Sequence, residues 1–128
     1  MKGVTILDRD SSSGVLSFDL RDILPLVGED CRRSTWTVRD VECLGGDAAA
    51  ALHDASDACR SLAGSKLIEL AREVEQIVDG EFSGRLPNEE ADWITIRAVD
   101  SSAFDVQTDR EEILVALKAK FDWVEDIL

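Results

Sequence analysis

Asp100-Ser101-Ser102 sets a carboxylate beside two hydroxyls, the residue types of a hydrolytic nucleophile and the acid that orients its base. That chemistry also needs a base within reach of the hydroxyl and donors for the oxyanion. The only histidine, His53, falls in a different expected helix, and no G-x-S-x-G turn is present. The triplet explains itself as a tight turn, because Asp and Ser side chains bond to nearby backbone N–H groups. A second candidate is DRDSSSG, Asp8 to Gly14. Asp8, Asp10 and Ser12 occupy the alternating ligand positions of a calcium loop, with Asp19 at the last one. The required glycine arrives one place late, since Ser13 holds its slot, and the last ligand is Asp rather than a bidentate Glu. Asp8-Arg9-Asp10 alone also has the form of a tripeptide that holds a metal-bound nucleotide sugar. A polar hairpin turn accounts for the whole stretch more simply.

His53 with Cys31, Cys43 and Cys59 sums to a Cys3His set at spacing C-x11-C-x9-H-x5-C. Structural zinc takes its ligands in close pairs, two to four residues apart, and no such pair exists here. His53 and Cys59 stand six apart on one expected helix, so they point to different sides and do not make a nucleophile pair. Buried thiols acting as small hydrophobes fit better. Paired carboxylates can cleave glycosides, but in so acidic a chain any pair arises by chance. None of these patterns calls for a cofactor or a metal.

The charge is more informative. The 128 residues carry 27 acids against 14 bases, a net −13. Residues 79–128 hold 13 of those acids against 5 bases. Such a field repels nucleic-acid phosphates and anionic membranes and attracts cationic partners. Asp105, Asp109, Glu111 and Glu112, edged by Trp93 and Trp123, are the candidate partner-binding residues, since Trp anchors interfaces within a polar rim. An odd count of three scattered cysteines suits reduced thiols in the cytoplasm. The opening MKGVTILDRD is too short an apolar run for a signal peptide, and no segment approaches the ~20 apolar residues of a membrane span. A soluble cytoplasmic protein is the expectation.

The elements that must position these residues follow from periodicity. Gly3–Leu7 and Val15–Leu20 read as strands joined by the DRDSSSG turn. A helical turn at Arg21–Leu24 is expected to stop at Pro25. Ser34–Leu44 reads as a strand in which a bulge near Arg39-Asp40 brings Trp36, Val38, Val41 and Cys43 to one side. After Gly45-Gly46, Asp47 is placed to cap a helix from Ala48 that Gly64 breaks or bends. SKLIELAREVEQIVDG spaces Leu67, Leu70, Ala71, Val74, Ile77 and Val78 as one helical stripe, with Ser65 as cap and Gly80 past the end. Glu81–Leu86 is a further strand. Trp93–Val99 and Phe104–Thr108 form a hairpin about Asp100-Ser101-Ser102. A last helix begins at TDREE with a capping box from Thr108 or Asp109, buries Ile113, Leu114, Leu117 and Phe121, and leaves an apolar tail from Trp123 to Leu128. The sum is one α+β domain over residues 1–128: an antiparallel sheet with helices packed on one face.

With its DRDSSSG hairpin, SKLIELAREVEQIVDG helix and WITIRAVDSSAFDVQTDREE unit, the chain resembles the small acidic cytosolic immunity proteins that bacteria pair with polymorphic toxins. The resemblance is one of class: length, α+β content, acidity and no catalytic motif. It implies a protein without enzymatic activity that binds a basic toxin domain and blocks its active site. Two rival expectations stand beside it: a metal-dependent enzyme using Asp8, Asp10 or Asp100, and a non-catalytic adaptor subunit. The turn reading makes a test available. Ser101→Ala and Ser102→Ala should each cost no more than one hydrogen bond, about 0.5–1.5 kcal/mol, and leave biological activity intact. A folded variant that loses a measurable turnover would place an active site at the triplet.

Overall fold

A strand that alternates apolar and polar residues needs cover on its apolar side alone. In the computed structural model, which describes residues 1–127, seven strands meet that need in one antiparallel sheet. In chain order the elements are β1 (Lys2–Ile6), α1 (Leu20–Val27), α2 (Glu29–Arg33), β2 (Thr35–Leu44), α3 (Gly46–Asp57) and β3 (Ser61–Ala63). There follow α4 (Gly64–Glu73), β4 (Gln76–Arg85), β5 (Ile94–Val99), β6 (Ala103–Thr108), α5 (Glu111–Lys120) and β7 (Val124–Ile127). The strand order across the sheet is β3-β2-β4-β5-β6-β1-β7. On the dry side Val4, Ile6, Trp36, Val38, Phe82, Ile94, Ile96, Phe104 and Val106 are buried. The helices meet them with Leu20, Ile23, Leu52, Leu67, Leu70, Ile113 and Leu117. Each fully buried side chain of this size contributes ~1.5–3 kcal/mol. Phe18 closes one end of the core against Phe104 and Phe121, at ring-centroid distances of 5.4 and 4.9 Å. The expected architecture, α+β with helices on one face of an antiparallel sheet, is the one observed. Among the described residues no helix is long and apolar enough to cross a membrane.

The wet side can be read from the register. Thr5 pairs with Asp105, Asp105 with Arg97, Arg97 with Glu81 and Glu81 with Arg39. These five form one row across the uncovered face. Glu81 holds both neighbouring arginines, Arg97 at 2.5 Å and Arg39 at 3.7 Å. The β2 bulge lies where the sequence places it: the β2–β4 register breaks between Arg39 and Glu42, and Asp40 has φ +50°. The break lets odd-numbered Cys43 join even-numbered Trp36 and Val38 in the core.

Several expected boundaries differ. Val15–Leu20 is not a strand; only an isolated Arg9–Leu16 bridge marks the turn. Leu20 instead opens α1, because Asp19 caps it in a reciprocal box with Asp22. Pro25 does not stop that helix, which runs on to Val27. The missing Pro25 N–H costs one hydrogen bond, while Leu20, Ile23, Leu24 and Val27 are all buried on one side. Asp47 lies within the first turn of α3, whose cap is Gly45. Neither Ser65 nor the Thr108/Asp109 box caps its helix; α4 follows Ala63 and α5 follows Arg110 without a side-chain cap.

The largest departure is the long helical stripe. It ends at Glu73, and Ile77 and Val78 belong to β4, which also absorbs the expected Glu81–Leu86 strand. Helix propensities differ by less than ~1 kcal/mol per residue. Pairing β4 between β2 and β5 satisfies both of its edges and buries Ile77, so the sheet wins. The expected tail becomes edge strand β7 on β1; Leu128 lies outside the described residues.

Gly64 does not bend α3, which has ended at Asp57, but opens α4. A Cβ there would overlap the carbonyl oxygens of Cys31 and Arg32 in α2. Gly64→Ala must therefore push two backbones apart, and overpacking of this kind costs about 1–3 kcal/mol or more. Urea denaturation should show a clear fall in midpoint, and an unchanged midpoint would mean α2 and α4 are not in this close contact.

Candidate functional site

The Asp100-Ser101-Ser102 triplet is held as a turn by the neighbouring strand. Asp100 and Ser101 have φ +45° and +57°, the left-handed pair that a tight hairpin needs. Their N–H groups are donated to the irregular stretch of β4: Asp100 N to Asp79 Oδ1 at 2.7 Å and Ser101 N to the Val78 carbonyl at 2.9 Å. Ser101 Oγ accepts from the Gln76 amide, and Ser102 Oγ donates to the Val99 carbonyl. His53 is not among these partners.

Asp8 and Asp10 are likewise engaged with backbone. Asp8 accepts the Asp122 and Trp123 N–H groups at 2.9 and 2.6 Å, which fixes the entry to β7. Asp10 accepts from the Ser12 N–H and hydroxyl, and the hydroxyl bond, chief among these, holds its carboxyl below the usual range. Among the described residues no three His, Cys, Asp or Glu side chains come together as a metal cage.

One juxtaposition has no clear signal in the sequence. His53 Nε2 accepts the Cys43 N–H at 3.2 Å and lies 3.8 Å from Cys43 Sγ. The thiol is buried, and that burial pushes its pKa up, away from a reactive thiolate. With Nε2 accepting the Cys43 N–H, the pair's geometry serves the backbone rather than the thiol. Its work is at the strand edge. β3 covers β2 only from Thr35 to Thr37. Farther along, His53 takes the Cys43 N–H and Ser56 Oγ takes the Val41 N–H. Only the bulge in β2 and the helical i, i+3 spacing of His53 and Ser56 hint at this in the sequence.

The acidic candidates divide between two places. Asp105 stands on the uncovered sheet face and accepts from the Thr5 hydroxyl at 2.7 Å. Asp109, Glu111 and Glu112 surround the exposed start of α5, where their charge complements the helix dipole. Asp109 is 3.8 Å from the Met1 amino group and Glu111 3.5 Å from Lys2.

The tryptophans also divide. Trp123 is 48% exposed, with its indole N–H on Glu125 and Arg9 over its ring at 5.8 Å. Trp93 is half-buried and faces inward. Its N–H donates to Ser34 Oγ at 2.8 Å, and the Arg110 guanidinium lies 4.1 Å above its ring. Arg110 in turn meets Asp30 at 2.6 Å, and Ser34 Oγ bonds the Asp30 carbonyl, closing a loop of contacts that joins α2, β5 and the start of α5. No family model, no curated protein and no solved structure matches the chain.

The Arg110 hydrogen bond, and then Arg33, hold the Asp30 carboxyl below the usual carboxylate range. The unfolded chain therefore binds a proton more readily than the native one, and stability from this group rises with pH. It is fully present above the ordinary Asp pKa of about 3.9 and is lost as pH falls through the depressed value. Asp30→Asn should lower the urea midpoint at neutral pH and make its acid dependence shallower below about pH 4. Equal slopes for the two proteins would remove Asp30 from the acid response.

Proposed function

We propose that this chain is an immunity-type protein: it binds a basic toxin domain and occludes the toxin's active site. The observation that carries the reading is the placement of Trp123. Of the three tryptophans it is the one left largely in solvent, beside the exposed carboxylates of Asp122, Glu125 and Asp126. An aromatic anchor in an acidic rim suits a cationic partner. The net charge of −13 supports the same reading. The exposed acids at the start of α5 and the helix-free sheet face with Asp105 extend the acidic surface.

The mechanism is steric and electrostatic. Carboxylates occupy the cationic groove with which a toxin holds nucleic acid or nucleotide, and the field guides encounter before contact. Trp93 has no share in this patch, since its ring and N–H are taken up within the fold.

The two components act on different rate constants. Reversing Asp105, Asp109, Glu111 and Glu112 to lysine should slow association with the partner recovered from the native host, and more so at low salt. At physiological ionic strength the field reaches only about 8 Å. Trp123→Ala should leave the on-rate nearly unchanged and speed dissociation, by about 2 kcal/mol if Trp123 is a hot spot. Stopped-flow kinetics separates the two. An on-rate indifferent to both salt and the reversals would sink the electrostatic reading and leave the acidity as a solubility feature.

A further inference from the structure

The acidic excess makes unpaired cations conspicuous. Arg21, Arg32 and Arg72 enter no ion pair among the described residues, although acids outnumber bases by 27 to 14. All three line one cleft of about 400 Å³ between α1, α2 and α4. Its remaining walls include Leu24, Pro25 and Ile68, with Glu29 the one acid. Arg21 is anchored there by its bonds to the Val74 and Glu75 carbonyls. Arg32 and Arg72 make no hydrogen bond of their own among the described residues, so their donors remain available.

We infer that this cleft binds a small phosphate monoester with an apolar body. Three guanidiniums against one carboxylate leave a local charge of about +2, which matches a monoester near neutral pH, whose charge is ≈ −1.5 to −2. Guanidinium forks pair with phosphate oxygens bidentately, as ammonium groups do not. Leu24, Pro25 and Ile68 supply the apolar wall that an inorganic ion would leave uncovered. The volume lies at the lower end of small-ligand sites, so one compact molecule fills it. The site belongs to the helix layer, whereas Asp105 stands on the opposite face of the sheet.

The test is titration calorimetry on the full chain with 1-naphthyl phosphate, inorganic phosphate, 1-naphthol and a phosphotyrosyl peptide. Naphthyl phosphate should bind one-to-one and at least tenfold more tightly than the other three. Arg32→Gln and Arg72→Gln should each weaken it at least tenfold. Both side chains are exposed and make no hydrogen bond, so the variants keep the fold, which circular dichroism checks. Arg60→Gln makes the same change in net charge away from the cleft and should have no effect. Absence of naphthyl phosphate binding overturns the inference. So does naphthol binding equally well, the peptide binding more tightly, or Arg60→Gln weakening binding as much as the cleft variants.

Discussion

The central strands of this protein have one side that is dry and one that meets water. A sheet covered by helices on one face alone holds its register tightly, because slipping one residue turns the whole apolar set outward. The bulge at Asp40 is the device that reconciles β2 with this demand. The first half of β2 buries Trp36 and Val38 and the second half buries Cys43, a change of parity that a regular ladder cannot make. β4 answers with its own irregularity: Gly80, at φ +151°, stands close to Val41, where a Cβ would crowd the Val41 side chain.

The polar network follows from the same irregularity. A bulge frees backbone groups from the ladder, and free groups need partners. Val41 and Cys43 are served by Ser56 and His53, while Val78 and Asp79 serve the turn at Asp100 and Ser101. Asp19 works in the same way at the junction of α1 with β4, accepting the Leu20 and Ile77 N–H groups; its burial pushes the carboxyl pKa up. Among the described residues no buried side-chain nitrogen or oxygen lacks a partner. Side chains that resemble catalytic groups in the sequence are thus largely engaged in holding backbone.

Local signals made much of this legible. The alternation in Ile94–Val99 and Phe104–Thr108, the turn chemistry between them, the β2 bulge and the buried stripe of α5 are written in adjacent residues. What stayed hidden depends on distant ones. EVEQIVDG carries a helical period, and only the vacancy between β2 and β5 makes part of it a strand. Trp93 reads as a surface anchor until Arg110 and Asp30, 80 residues apart, close over it. The cleft arginines come from three helices, and no spacing in the chain announces their convergence. The acidic residues were legible as a charge but not as a single patch, since Asp105 and Glu112 lie on different elements.

The place of β1 sets an order of assembly. It is the first strand of the chain, yet its partners are β6 and β7, so Val4 meets Val106 and Ile6 meets Val124. The ladder from β3 through β5 closes within the middle of the chain, while Val4 and Ile6 wait for segments about a hundred residues away. Closing so long a loop precedes any reward from the contacts it brings, and topologies of this kind fold slowly. β1 can therefore take its seat only once β6 and β7 are in place, and Val4 and Ile6, both fully buried in the core, stay in water until then.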